Sequence, residues 1–190
     1  MRAAGEHRCL PFADPVELRD QAARYLAEGV ERGHRVMWIA DDDPSAFLAG
    51  LGERLGPDAD VAALVASGAV VVSSPAEAYG PAGGAVDPEA QVAAYRSATA
   101  QALADGHTGL RVVADASPLV RTGSERDAFA RYEHLVDRLM ERVPFAAICA
   151  YDTRVLGRDA VAELACLHGA GGDDLTPFHL WATAEGIALA

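Results

Sequence analysis

Short apolar runs and helical stripes alternate along the whole chain, the pattern of βαβ units that build a mainly parallel sheet. His7 to Phe12 predicts a short first strand. Asp14 then offers an N-cap, Pro15 fits the first helical position, and Leu18, Ala22, Leu26 and Val30 recur on one face as far as Gly33. Arg35 to Ala40 reads as a buried strand stopped by Asp41-Asp42-Asp43-Pro44, with helices to follow over Ser45 to Leu55 and Asp58 to Ala66. Ala69 to Ser73 is the third strand. Between Ser74 and Val86 the proline and glycine content rises, and Gly80 to Gly84 within it predicts a flexible loop with the length of a lid.

Asp87-Pro88 repeats the cap signal and opens a helix through Val92, Tyr95, Ala98 and Leu103 that ends near Gly106; Leu110 to Asp115 is the next strand. The strongest stripe runs from Ser124 to Glu141, through Phe129, Tyr132, Leu135, Val136, Leu139 and Met140, behind a Ser124-x-x-Asp127 start that resembles a capping box. A strand over Phe145 to Tyr151, a helix over Arg158 to His168 and a strand over Phe178 to Ala182 complete the series. The expected fold is α/β, a three-layer α/β/α sandwich around a mainly parallel central sheet. One domain over residues 1–190 suffices, since a chain of this length buries roughly 70% of its unfolded surface.

Composition narrows the function. The 51% of hydrophobic residues fall in short runs, none near the roughly 20 needed to span a bilayer, so no membrane association is expected. Met1 to His7 lacks the apolar core of a secretory signal, which makes the cytoplasm the expected compartment. A net charge of −12, spread along the chain, disfavours nucleic-acid binding, which needs a basic face. All 16 basic residues are arginine. Without lysine there is no working Walker A loop, whose lysine must reach the β and γ phosphates. Cys9, Cys149 and Cys166 show no CxxC spacing and read as buried reduced thiols.

In an open parallel sheet, ligands bind beyond the carboxyl ends of the strands. Here those ends read Phe12-Ala-Asp14, Ala40 to Asp43, Ser73-Ser74, Asp115-Ala-Ser117 and Tyr151-Asp-Thr153. Such an acidic rim repels bare phosphate and suits a cation, a polar small molecule or a basic partner surface. Asp14 and Asp43 read as helix caps, whereas Asp115 and Asp152 divide evenly between turn closure and binding. His7 and Cys9 point to the same face of their strand. Two ligands do not make a metal site, and no spacing demands Asp115 or His168 as a third, so no metal is expected. A Cys–His nucleophilic pair is disfavoured too, because this spacing sets the side chains side by side. Tyr132 belongs to the apolar stripe, with Glu133 beside it. Gly169 to Gly172 follows a helix and reads as a surface loop, and His34, His107 and His179 have no evident partner.

Taken in order, several short pieces resemble the MEDS family, the methanogen/methylotroph, DcmR-type sensory domain. They are His7-x-Cys9 with Phe12, Glu28-Gly29, Val36-Met-Trp-Ile39, Ser67-Gly68-Ala-Val70, Glu77-Ala-Tyr79, Gly106 with Gly109 to Asp115, Arg131-Tyr-Glu133, Ala147 to Asp152, and His168. Asp115-Ala-Ser117 departs from the family's more usual acidic residue with a nearby tryptophan, and Gly169 stands where proline would follow His168. The resemblance implies a RecA-like P-loop fold, degenerate and related to circadian-clock ATPases, with Phe12 to Pro15 at the phosphate-loop position and Asp115 at the Walker B position. It further implies a non-catalytic sensory domain without a cofactor, binding a small molecule such as a hydrocarbon derivative at the rim.

The ligand residues expected on this reading are His7, Cys9, Phe12, Asp41, Asp115, Ser117, Tyr132, Glu133, Tyr151 and Asp152. The sequence holds no helix-turn-helix, kinase or receiver segment, so signal transduction or transcription regulation would pass through a regulatory protein partner of kinase or anti-sigma type; a homodimer is left open. The alternatives are a regulator acting by protein contact alone, with its nucleotide site filled, and a residual Mg²⁺-dependent nucleotide hydrolase.

Overall fold

The structure, a computed structural model, describes residues 6–80 and 85–165. The strand expected over 178–182, the end of the helix expected to reach His168, the glycine run 169–172, Cys166, His179 and positions 81–84 of the expected lid lie outside the described residues.

Among the described residues five strands form one sheet: β1 (His7–Phe12), β2 (Arg35–Ile39), β3 (Val70–Ser73), β4 (Leu110–Asp115) and β5 (Phe145–Asp152). Their order is β1-β5-β4-β2-β3, and every pairing is parallel. Among the described residues eight α-helices connect or follow them: α1 (Pro15–Glu31), α2 (Pro44–Leu55), α3 (Val61–Ala66), α4 (Pro75–Tyr79), α5 (Pro88–Ala104), α6 (Gly123–Met140), α7 (Thr153–Leu156) and α8 (Arg158–Ala165). A parallel sheet is buried on both faces, and here two separate cores flank it. Leu10, Phe12, Val36, Trp38, Val113, Ile148 and Ala150 pack on Leu18, Ala22 and Leu26 of α1 and on Phe47 and Leu51 of α2. The alternate residues Cys9, Ile39, Val112, Ala114, Ala147, Cys149 and Tyr151 pack on the other side against α5, α6 and α8. The three-layer α/β/α architecture expected from the sequence is therefore present.

Local chemistry explains the boundaries. Asp14, Asp43, Asp60, Asp87 and Asp152 each accept a backbone N–H at the start of a helix, and proline stands at the head of α1, α2 and α5. Helix α6 starts one residue earlier than the sequence pattern predicts. Its cap is Thr122, reciprocated by Glu125, so the box at Ser124 and Asp127 is the wrong one of two overlapping signals. Ahead of the loop expected at Gly80 stands α4, a short helix that the sequence pattern does not single out and that its own box of Ser74 and Glu77 initiates.

Two glycines are required by close packing. A Cβ on Gly29 of α1 would lie 2.8 Å from Val36 Cγ1 and 2.9 Å from Arg111 Cδ, which lets the helix sit tightly on β2 and β4. A Cβ on Gly109 would lie 2.5 Å from the Pro144 carbonyl oxygen at the mouth of β4 and β5.

Candidate functional site

The turn from β1 to α1 consists of Ala13 and Asp14 only. The Asp14 carboxylate accepts from the backbone N–H of Val16 at 2.9 Å, so an acidic side chain of the protein itself occupies part of the helix N-terminus that would otherwise favour an anion.

The expected ligand residues separate into two groups. The first lies on the rim at the carboxyl ends of the strands. Asp115 Oδ1 accepts from Ser117 N at 2.9 Å and from Ser117 Oγ at 2.6 Å, and Ser117 Oγ accepts in turn from Asp152 N at 2.7 Å. Asp152 is gripped by Arg154 through Nε at 3.0 Å and Nη2 at 2.7 Å. These contacts close β4 and β5 on one another. Burial raises the Asp115 carboxyl above its usual range, the Ser117 hydrogen bonds oppose that, and the charges of Asp152 and Asp41 add to it. The Arg154 guanidinium holds Asp152 below the ordinary range. Phe12 belongs to neither group, since it packs into the core on the α1 side.

The second group lies inside, between β1, β5 and α6. Glu133, which the sequence places beside the apolar stripe, is buried at 1% exposure, and Tyr132 and Tyr151 are buried with it. Glu133 Oε2 lies 3.0 Å from His7 Nε2, and Asp137 Oδ1, one helical turn along, lies 2.7 Å from His7 Nδ1. Cys149 Sγ stands 3.4 Å from Glu133 Oε1 and 3.6 Å from His7 Nε2. Burial alone would depress the His7 imidazole. The Glu133 charge and the bonds to Asp137, Cys149 and Glu133 outweigh it and hold the ring well above its usual range. Burial and the Glu133 charge push the Cys149 thiol up to about 12.

Around this centre stand Tyr79, Tyr95, Tyr132 and Tyr151. The hydroxyls of Tyr79 and Tyr95 are 2.7 Å apart, and burial lifts the ionisation of all four phenols. At neutral pH they are therefore hydrogen-bonding groups and not anions. Cys9 lies on the same sheet face, in register with Cys149 on the neighbouring strand.

Sequence reasoning singles out His7, Tyr132, Glu133 and Tyr151 of this cluster but misses Cys149, Asp137, Tyr79 and Tyr95. His7 meets Cys149 across the two neighbouring strands. The spacing from Glu133 to Asp137, i to i+4 on one helix face, was the available signal for Asp137.

A further site missed in sequence is Arg111 on β4. Its guanidinium lies 3.9 Å from the centre of the Tyr25 ring and donates to Tyr25 O at 2.8 Å. It forms the floor of a polar recess of about 370 Å³ shared with Glu6, Arg8, Arg24, Glu28 and Arg32.

No helix among the described residues is long and apolar enough to cross a membrane. No curated protein matches the sequence. The family model described as MEDS, MEthanogen/methylotroph, DcmR Sensory domain, matches residues 6–169. Its span takes in both the rim and the buried cluster, and the chain belongs to this family of sensory domains.

Proposed function

We propose that the chain is a non-catalytic sensory domain that takes up a small molecule at the cluster of His7, Glu133 and Cys149 and signals through a partner protein. The observation that carries this reading is the enclosure of a charged, hydrogen-bonding centre, ringed by four tyrosines, in what would otherwise be the apolar interface of α6 with the sheet. Buried polar groups cost stability. Perturbed titratable groups gathered in one place mark functional sites more often than chance. Phenol, imidazole, thiol and carboxylate together suit a small ligand with one or two polar atoms on an apolar body. The two-residue turn after β1 and the absence of lysine support sensing over nucleotide hydrolysis.

The test is thermal denaturation across one- to four-carbon hydrocarbon derivatives and nucleotides, where a ligand at 100 times its Kd adds about 2.7 kcal/mol. A small molecule that raises Tm in the native chain and not in Tyr151→Phe or Glu133→Gln supports the reading. ATP turnover abolished by Asp115→Asn would overturn its non-catalytic part.

A second reading, regulation by protein contact alone, is favoured by a different observation. The rim is closed by its own hydrogen bonds, while an apolar groove of about 560 Å³ runs between α2 and α3, lined by Leu48, Ala49, Val61, Ala62, Val65 and Ala66. A silent small-molecule screen, together with loss of partner binding in Val65→Asp, would select it.

A further inference from the structure

Three elements each bring one metal-binding group to the centre of the cluster: His7 from β1, Glu133 from α6 and Cys149 from β5, with the ligand atoms all within 4.8 Å of one another. We propose that these three side chains bind one divalent transition-metal ion, Zn²⁺ fitting best, and leave its fourth position open for the small molecule that the domain senses. The inference deepens the sensory reading and rests on it for the use of the fourth position.

The geometry is the first argument. Zinc binds imidazole nitrogen at about 2.0–2.1 Å, carboxylate oxygen at about 2.0–2.2 Å and thiolate at about 2.3 Å, and a tetrahedron with such bonds has edges of about 3.3–3.6 Å. His7 Nε2 lies 3.0 Å from Glu133 Oε2 and 3.6 Å from Cys149 Sγ, Cys149 Sγ lies 3.4 Å from the other Glu133 oxygen, Oε1, and one ligand atom from each residue lies within 4.8 Å of the others. A rotation of the Glu133 carboxylate that presents one oxygen to both partners brings the three ligand atoms toward those edges.

The outer contacts are the second. A metal-bound histidine almost always donates its other ring N–H to a carboxylate or carbonyl, which fixes its tautomer. His7 Nδ1 already has Asp137 Oδ1 at 2.7 Å. Asp137 is 41% exposed while the His7 side chain is 7% exposed, so the outer carboxylate marks where an ion reaches the site from solvent.

Charge is the third. The thiolate and the Glu133 carboxylate together cancel a divalent ion, so the loaded centre is neutral in a buried environment that penalises net charge. Loading takes one proton from the His7 imidazolium at Nε2 and one from the Cys149 thiol, and both pass to solvent as the N–metal and S–metal bonds form. Mixed nitrogen, sulfur and oxygen donors suit a borderline ion rather than Mg²⁺ or Ca²⁺, which take oxygen. Three protein ligands with an open fourth position are the pattern of sites that exchange a water for another molecule.

Cobalt(II) titration of the reduced, chelator-treated full chain tests the site. The expected result is saturation at one ion per chain, with a thiolate-to-cobalt charge-transfer band, strong four-coordinate visible bands, displacement by Zn²⁺ and release of about two protons per ion in weak buffer. Cys9→Ser keeps the charge-transfer band and Cys149→Ser loses it. Asp137→Asn, at a half-exposed position that leaves the core intact, weakens cobalt binding about 10- to 100-fold.

No thiolate band in the folded native chain, an unchanged band in Cys149→Ser, or unchanged affinity in Asp137→Asn would each overturn the proposal. Should Cys149→Ser not fold, the Cys9→Ser and Asp137→Asn results decide it. The same hydrocarbon-derivative panel, run on metal-free and zinc-loaded protein, separates the two readings. A thermal shift without any cobalt binding removes the metal alone. Cobalt binding with no shift in either form upholds the metal and removes its sensory use.

Discussion

The Glu133 carboxylate on α6 and the His7 imidazole on β1 meet at 3.0 Å inside the interface between that helix and the sheet. Breaking a buried pair by removing one partner costs about 3–5 kcal/mol. Glu133→Ala is therefore expected to lose about that much stability in urea unfolding of metal-free protein, and Glu133→Gln, which keeps an acceptor for His7, distinctly less. Equal losses in the two variants would show that the charge, and not the volume or the retained acceptor, matters at this position.

Asp115 makes a prediction whose sign depends on pH. Burial, together with the charges of Asp152 and Asp41, raises its folded pKa above the ordinary carboxylate range. Its contribution is thus fully present below the unfolded pKa and is lost as pH rises through the folded value. At neutral pH the ionised carboxylate is held at a cost. Asp115→Asn, which can still accept from Ser117, should match or exceed the native Tm at pH 7, with the advantage shrinking as the pH falls into the ordinary carboxylate range. A Tm clearly below native at pH 7 would contradict this.

The start of α6 can be tested by two alanine substitutions. Thr122→Ala removes the cap that receives the Glu125 N–H at 3.2 Å and should cost about 1 kcal/mol. Ser124→Ala, two residues on, removes no cap and should change stability by no more than about 0.5 kcal/mol. The reverse order would restore the pattern that the sequence alone suggests.

Gly29→Ala should destabilise by about 1–3 kcal/mol, the usual cost of forcing a methyl group into a packed interface. The added carbon would meet Val36 and the stem of Arg111 at under 3 Å. Chemical denaturation of Gly29→Ala beside Gly50→Ala, where the nearest atom is 3.8 Å away, separates crowding from helix propensity. Propensity alone would stabilise both variants.

Much of the architecture is legible in the chain because its signals are local. The Asp-Pro starts of α1, α2 and α5 state both the cap and the first helical turn, and the strands announce themselves by apolar runs between turn residues. Signals that overlap are harder to resolve. Thr122-x-x-Glu125 and Ser124-x-x-Asp127 compete over the same few positions, and the Ser74 box of α4 sits in a stretch whose glycines and prolines suggest loop.

The buried cluster was half legible. His7 and Glu133 could be named singly, but their meeting with Cys149 depends on β5 lying between β1 and β4, a non-local choice that no periodicity encodes. For the same reason the sequence sets His7 beside Cys9 on one strand face without pairing them, and reads the rim and the cluster as one pocket.

The two carboxylates that hold His7 stand one turn apart on α6 and address opposite nitrogens of a single ring. That ring cannot rotate, change its proton inventory or trade a partner without altering its hold on the helix. His7 therefore acts as a strut between the first strand and α6, and an event at the ring is also a force along an eighteen-residue lever whose outer side faces solvent.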